Sequence, residues 1–123
     1  MSHDRYESAD FSPGIYIGTL EASRVVRSVQ TGNVGVTAYW AVTDVFGRAR
    51  RAWRTFWLSA AARPHTKREL RQFGIRTLDD LDREDPLPVG LRCRLTVKQV
   101  LDSEGFRETR IIRCVVLSDK EDP

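Results

Sequence analysis

Cysteine and histidine are scarce in this chain of 123 residues. The two cysteines, Cys93 and Cys114, are far apart with no CxxC, and His3 and His65 stand alone in polar sequence. Zinc-finger spacing is therefore missing, and no structural metal is expected. The two thiols read as small apolar core residues, a disulfide being disfavoured in a reducing cytosol. No apolar run approaches the ~20 residues that a membrane-spanning helix needs. The first residues, MSHDRYESADFSPG, hold acids and hydroxyls where a secretory signal holds a basic end and an apolar stretch. A soluble, cytoplasmic protein with no membrane partner is expected. P-loop, GxSxG and HExxH patterns are missing as well. With no recognisable nucleophile, metal or phosphate-loop constellation, the chain reads as a non-enzyme without a cofactor.

What is present is enough for one core. The chain is 41% hydrophobic and 30% charged, with 8 Gly and 5 Pro, which suits a single packed domain and not a disordered polyampholyte. Twenty Lys+Arg against 17 Asp+Glu leave a net charge of +3, and all but three of the bases are arginine. The charge is unevenly spread: residues 24–76 hold eleven bases and two acids, whereas residues 77–91 hold five acids and one base. A middle segment this rich in arginine, the side chain suited to fork onto phosphate and stack on rings, points to a polyanionic partner or to a solvated basic surface.

Residues 1–12 read as a disordered N-terminal segment that closes at the turn Ser12-Pro13-Gly14, residues 13–117 as the domain, and residues 118–123 as a short acidic tail. Ile15–Val29 is rich in β-branched residues and predicts a long first strand. Val34–Thr43 alternates, placing Val34, Val36, Trp40 and Val42 on one face and Thr37, Tyr39 and Thr43 on the other. After Asp44–Gly47 the chain turns into a third strand, Arg48–Leu58. Pro64 reads as a break, followed by a capping box Thr66-Lys67-Arg68-Glu69, a short apolar stripe of Leu70 and Phe73, and a helix stop at Gly74. Thr77–Leu81 predicts one further helical turn. Leu91, Cys93, Leu95 and Val97 alternate with Arg92, Arg94, Thr96 and Lys98 in a fourth strand, and Phe106–Leu117 forms the fifth. With Ser103 and Glu104 as a two-residue loop, Cys93 would face Cys114 and Arg94 would face Arg113, a like-charge pair calling for a counter-anion. Three strands, a helix and a two-stranded hairpin is the order of a mainly β, five-stranded Greek-key OB-fold barrel with its helix between strands 3 and 4.

The ligand face of such a barrel centres on strands two and three. Here it draws on Thr37, Tyr39, Arg48, Arg50, Arg51, Trp53, Arg54, Phe56 and Trp57, with Arg92, Arg94 and Lys98 added from strand four. Cations that follow a phosphate backbone, interleaved with aromatic planes on which bases stack, are what single-strand binding requires. Alternation leaves two assignments of strand three open. Either Phe56 and Leu58 fill the core and both tryptophans face out beside Tyr39, or the tryptophans are core and Arg50 and Arg54 line the groove.

Pro13-Gly14-Ile15-Tyr16, Thr31-Gly32, Trp40-Ala41-Val42, Gly47-Arg48, Lys67-Arg68-Glu69-Leu70, Phe73-Gly74-Ile75 and Pro88-Val89-Gly90-Leu91 together resemble a family of small phage and prophage proteins of OB type. The resemblance spans about residues 13–117 through turn glycines and hydrophobics. It implies a protein that binds and protects single-stranded DNA with little sequence preference during replication or recombination, alongside other proteins of those processes. A module that binds a protein of a nucleic-acid complex through the same face is the alternative, and the strand edges leave a homo-oligomer open. Without the long acidic tail with an aromatic end that bacterial single-strand binders use, recruitment of partners by that route is not expected.

Overall fold

The computed structural model describes residues 12–44, 46–59, 63–101 and 103–117. The expected N-terminal segment, Ser12 apart, and the acidic tail lie outside the described residues. Five antiparallel strands form one sheet: β1 Gly14–Arg27, β2 Val34–Thr43, β3 Ala49–Trp57, β4 Arg92–Leu101 and β5 Arg107–Val116, in the order β3-β2-β1-β4-β5. Helix α1, Arg63–Arg71, and a 3-10 turn, Leu78–Leu81, lie between β3 and β4. The order of elements matches the sequence expectation, and β2 has its predicted ends.

β1 is the central strand because it is long enough to serve two neighbours. Gly14–Thr19 pairs with β4 and Gly18–Arg27 pairs with β2. A bulge at Glu21 breaks the register between Leu20, opposite Trp40, and Ala22, opposite Tyr39. An extra residue reverses the phase of a strand. Tyr16 and Leu20 therefore point into the core before the bulge, while Ala22 and Arg24 point outward after it. Ser23, buried at this point, ties the bulge down: its Oγ accepts the Leu87 amide at 2.9 Å and its own amide donates to Asp85 Oδ1 at 3.2 Å.

The core lies between the inner face of the sheet and the α1 segment. Trp40, Val36, Leu20, Phe56, Leu70, Leu87 and Leu95 are each at most 2% exposed. Burying a side chain such as Phe56 or Leu95 contributes about 1.5–3 kcal/mol. The β2–β3 register places Ala52 opposite Trp40 and Phe56 opposite Val36, a small residue against the largest one. Phe56 then meets Phe73 edge to face, with ring centroids 6.1 Å apart. Strand three is thereby settled: Ala52 and Phe56 face the core, and Trp53 and Trp57 face out.

Three local expectations are corrected. Pro64 does not break the helix but sits in the first turn of α1, where the missing N–H would have no intrahelical partner. Thr66 consequently lies inside the helix and not at its cap. Glu69 is free of any capping duty and instead grips Arg54, Nη1–Oε2 2.7 Å and Nη2–Oε1 2.9 Å, while Oε2 also accepts the Cys114 amide at 3.3 Å. Gly74, at φ 86, does end the helical segment as expected. The third correction concerns the hairpin. Leu101 pairs with Arg107, so the connection is longer than the expected two-residue loop, and a shift between Thr96 and Val97 leaves Ile112 without an opposite residue. Cys93 therefore faces Val116 and Cys114 faces Leu95, while Arg94 lies opposite Val115 and Arg113 opposite Thr96. The like-charge pair does not exist, and no counter-anion is called for. Both cysteines are free and buried. The neighbouring Cys93 thiol and burial push the Cys114 thiol far above its ordinary value.

Candidate nucleic-acid interface

The outer face of β1, β2 and β3 carries a platform built by register. Tyr39 lies opposite Trp53, Thr37 opposite Thr55, Ala41 opposite Arg51 and Gly35 opposite Trp57. From β1, Arg24 lies opposite Thr37 and Ala22 opposite Tyr39. The two threonine hydroxyls share a hydrogen bond of 2.8 Å that fixes the strands side by side. The Arg51 guanidinium stands 4.8 Å above the centroid of the Tyr39 ring, within cation–π range. Arg24, Thr37, Tyr39, Arg51, Trp53 and Thr55 line a concavity of about 500 Å³. A second one, of about 590 Å³, continues from Trp53 and Trp57 to Arg110 and Ile112 of β5. Four residues of extended strand place Trp53 and Trp57 about 13 Å apart along β3.

Trp57 keeps 37% of its surface exposed, resting on the backbone of Gly35. A Cβ at Gly35 would come within 2.8 Å of Trp57 Cε3 and 3.1 Å of the Phe56 carbonyl oxygen. The glycine leaves room for the indole to approach β2 this closely. Gly35→Ala is therefore expected to displace Trp57 and to destabilise the fold by about 1–3 kcal/mol, as overpacking does. Urea denaturation checks the stability, and a shift of tryptophan emission in the folded variant checks the displacement.

The structure sorts the other arginines named from sequence into different roles. Arg50 and Arg54 have core-facing parity on β3, and both are matched by acids. Arg54 is held by Glu69, both side chains being about one-fifth exposed, and its Cζ lies 4.6 Å from the Phe56 ring centroid. Arg50 Nε meets Asp44 Oδ2 at 3.1 Å, and Arg48 Nε reaches the same oxygen at 3.4 Å. Asp44 Oδ1 accepts the amides of Phe46 and Arg48, each at 2.9 Å. The Arg48 amide above all, with the Arg50 side chain and the Phe46 amide, holds this carboxyl below the ordinary aspartate range against the opposing effect of burial. Arg92, Arg94 and Lys98 share the outward face of β4, and none lines either concavity. Lys98 lies opposite Arg110, whose Nη2 meets Glu108 Oε2 at 2.7 Å. The platform thus unites Thr37, Tyr39, Arg51, Trp53 and Trp57; Arg54, held by Glu69, borders the second concavity, while Arg48, Arg50, Arg92, Arg94 and Lys98 line neither.

Arg24 is the member that the sequence reading missed. Simple alternation from Tyr16 through Leu20 would have turned Arg24 inward, and only the bulge at Glu21 brings it to the platform. The signal available was the charge itself, since an inward arginine beside Val36 would need a partner.

Among the described residues no group of His, Cys, Asp and Glu is arranged to hold a metal ion, and no helix is long and apolar enough to cross a membrane. In comparison with known proteins, no family model and no curated sequence matches the chain.

Proposed function

We propose that the five strands form a Greek-key barrel of OB type and that the chain binds single-stranded DNA without strong sequence preference and without catalysis. Like the phage and prophage family it resembles, it would act in replication or recombination. One observation carries this reading: Tyr39, Trp53 and Trp57 lie on the solvent side of the sheet, flanked by Arg24 and Arg51. Base–aromatic stacking contributes about 1–3 kcal/mol per base and tolerates any sequence, because every base has a π-face. The central position of β1 and the helix between β3 and β4 support the barrel assignment.

The test is a titration of labelled poly-dT, double-stranded DNA and single-stranded RNA at two salt concentrations. Preference for poly-dT is expected, and weak or equal binding to all three would favour the protein-interaction module instead. For single strands, log K falls with log salt at roughly −0.7 per neutralised phosphate. Replacing Arg24 and Arg51 by Ala is expected to flatten the slope by about 1.4, whereas Arg50→Ala, at a residue that lines neither concavity, should leave it unchanged. A slope near zero in the unmodified protein would remove the phosphate-tracking element of the proposal.

A further inference from the structure

A separate concavity of about 450 Å³ opens between α1, the 3-10 turn and the start of β2. Leu58, Leu70, Ile75 and Leu81 supply its apolar lining, and Leu78, 67% exposed, forms an uncovered wall. Lys67, Arg71 and Arg76 stand around it, and none of the lining residues is acidic. Among the described residues none of these three cations has an ion-pair partner, in contrast to Arg50 and Arg54, which the fold matches to Asp44 and Glu69. One carboxylate of the turn, Asp80, is turned onto the amides of Arg76 and Thr77 at 2.9 and 3.0 Å.

We infer that this groove docks an acid-rich peptide segment of a partner protein that carries large aliphatic side chains. The apolar lining would take one or two such side chains, and the three unmatched cations would meet the flanking carboxylates. Nucleic acid fits less well: phosphates would find the cations, but the lining holds no aromatic ring on which a base could stack. The groove is also distinct from the platform. Val34 and Leu58 line it, while their chain neighbours Gly35 and Trp57 belong to the outer face, so the two surfaces lie back to back across the end of the β2–β3 ladder. The inference does not depend on what the platform binds.

Fluorescence anisotropy with a labelled decapeptide of glutamates and two leucines tests this, beside versions with Ser for Leu and with Gln for Glu. The first peptide is expected to bind, and each altered version to bind at least tenfold more weakly. Combining Arg71→Glu with Arg76→Glu should weaken the first peptide about tenfold or more, since like charges then face each other, while poly-dT affinity stays unchanged. Circular dichroism checks the fold, and Arg71→Gln with Arg76→Gln replaces the reversals if they unfold. Equal binding of the Ser version would overturn the inference, as would indifference of the peptide to these variants. Loss of poly-dT binding in the same variants would assign the groove to nucleic acid and overturn it too.

Discussion

Trp40→Ala is expected to lose about 3–5 kcal/mol of stability, the range for deleting a large buried aromatic, while Trp57→Ala keeps its fold. Trp40 is fully buried, packed opposite Ala52 and Leu20, so deleting its indole leaves a cavity in the core. Its buried indole N–H makes no regular hydrogen bond among the described residues and only approaches the Cys93 thiol, so Trp40→Phe gives up mainly volume. Urea denaturation followed by far-UV circular dichroism measures both. The outer tryptophans behave differently because they rest on the sheet from the solvent side. Trp53→Ala and Trp57→Ala should each cost about 1–3 kcal/mol of poly-dT binding. Tryptophan fluorescence should be quenched by poly-dT in the native protein, and less so in either variant. If both variants unfold and neither loses binding selectively, the aromatic platform is not a binding surface.

Glu69→Ala should be nearly as damaging, at about 2–4 kcal/mol, although it removes an acid from a basic protein. Its carboxylate joins three segments of the chain: α1, the Arg54 guanidinium on β3 and the Cys114 amide on β5. Removing it leaves an arginine side chain that is about four-fifths covered without a counter-charge, and breaking a covered pair from one side costs more than the pair contributes. Glu69→Gln retains the shape and one acceptor and should lose less. Arg54→Met removes the cation and keeps an apolar stem against Phe56, so it should also be milder. Equal losses from all three variants in urea denaturation would mean that packing, not charge, is what Glu69 supplies.

Much of the architecture was legible because alternation in β2 and β4 is nearly perfect and the turns carry glycine. Strand three was not legible alone, since Arg, Trp and Thr alternate with Arg, Ala and Phe, and either set could be buried. Its face follows from pairing with β2, where only Ala52 leaves room for Trp40. From sequence alone Arg48, Arg50, Arg51 and Arg54 also read as parts of one ligand face. Parity divides them: Arg51 stays outside, whereas Arg50 and Arg54 turn toward acids supplied by a turn and by a helix. Bulges defeated the remaining inferences. One at Glu21 brought Arg24 outward, and one at Ile112 added a second step to the β4–β5 register, which a connection longer than expected had already moved by one; a single unpaired residue has no compositional signature in either strand.

The central place of β1 has a consequence for how the chain is made. Its N-terminal half pairs with β4, and Val97 leaves the ribosome 83 residues after its partner Gly14. At about 5–20 residues per second, the wait is roughly 4–17 s. The meander of β1, β2 and β3 can assemble in that time, but the edge carrying Ile15 and Ile17 has nothing to pair with. An open strand edge invites pairing with another nascent chain. Synthesis is thus the stage at which this protein is most exposed to aggregation, and β4 is the strand whose arrival ends it.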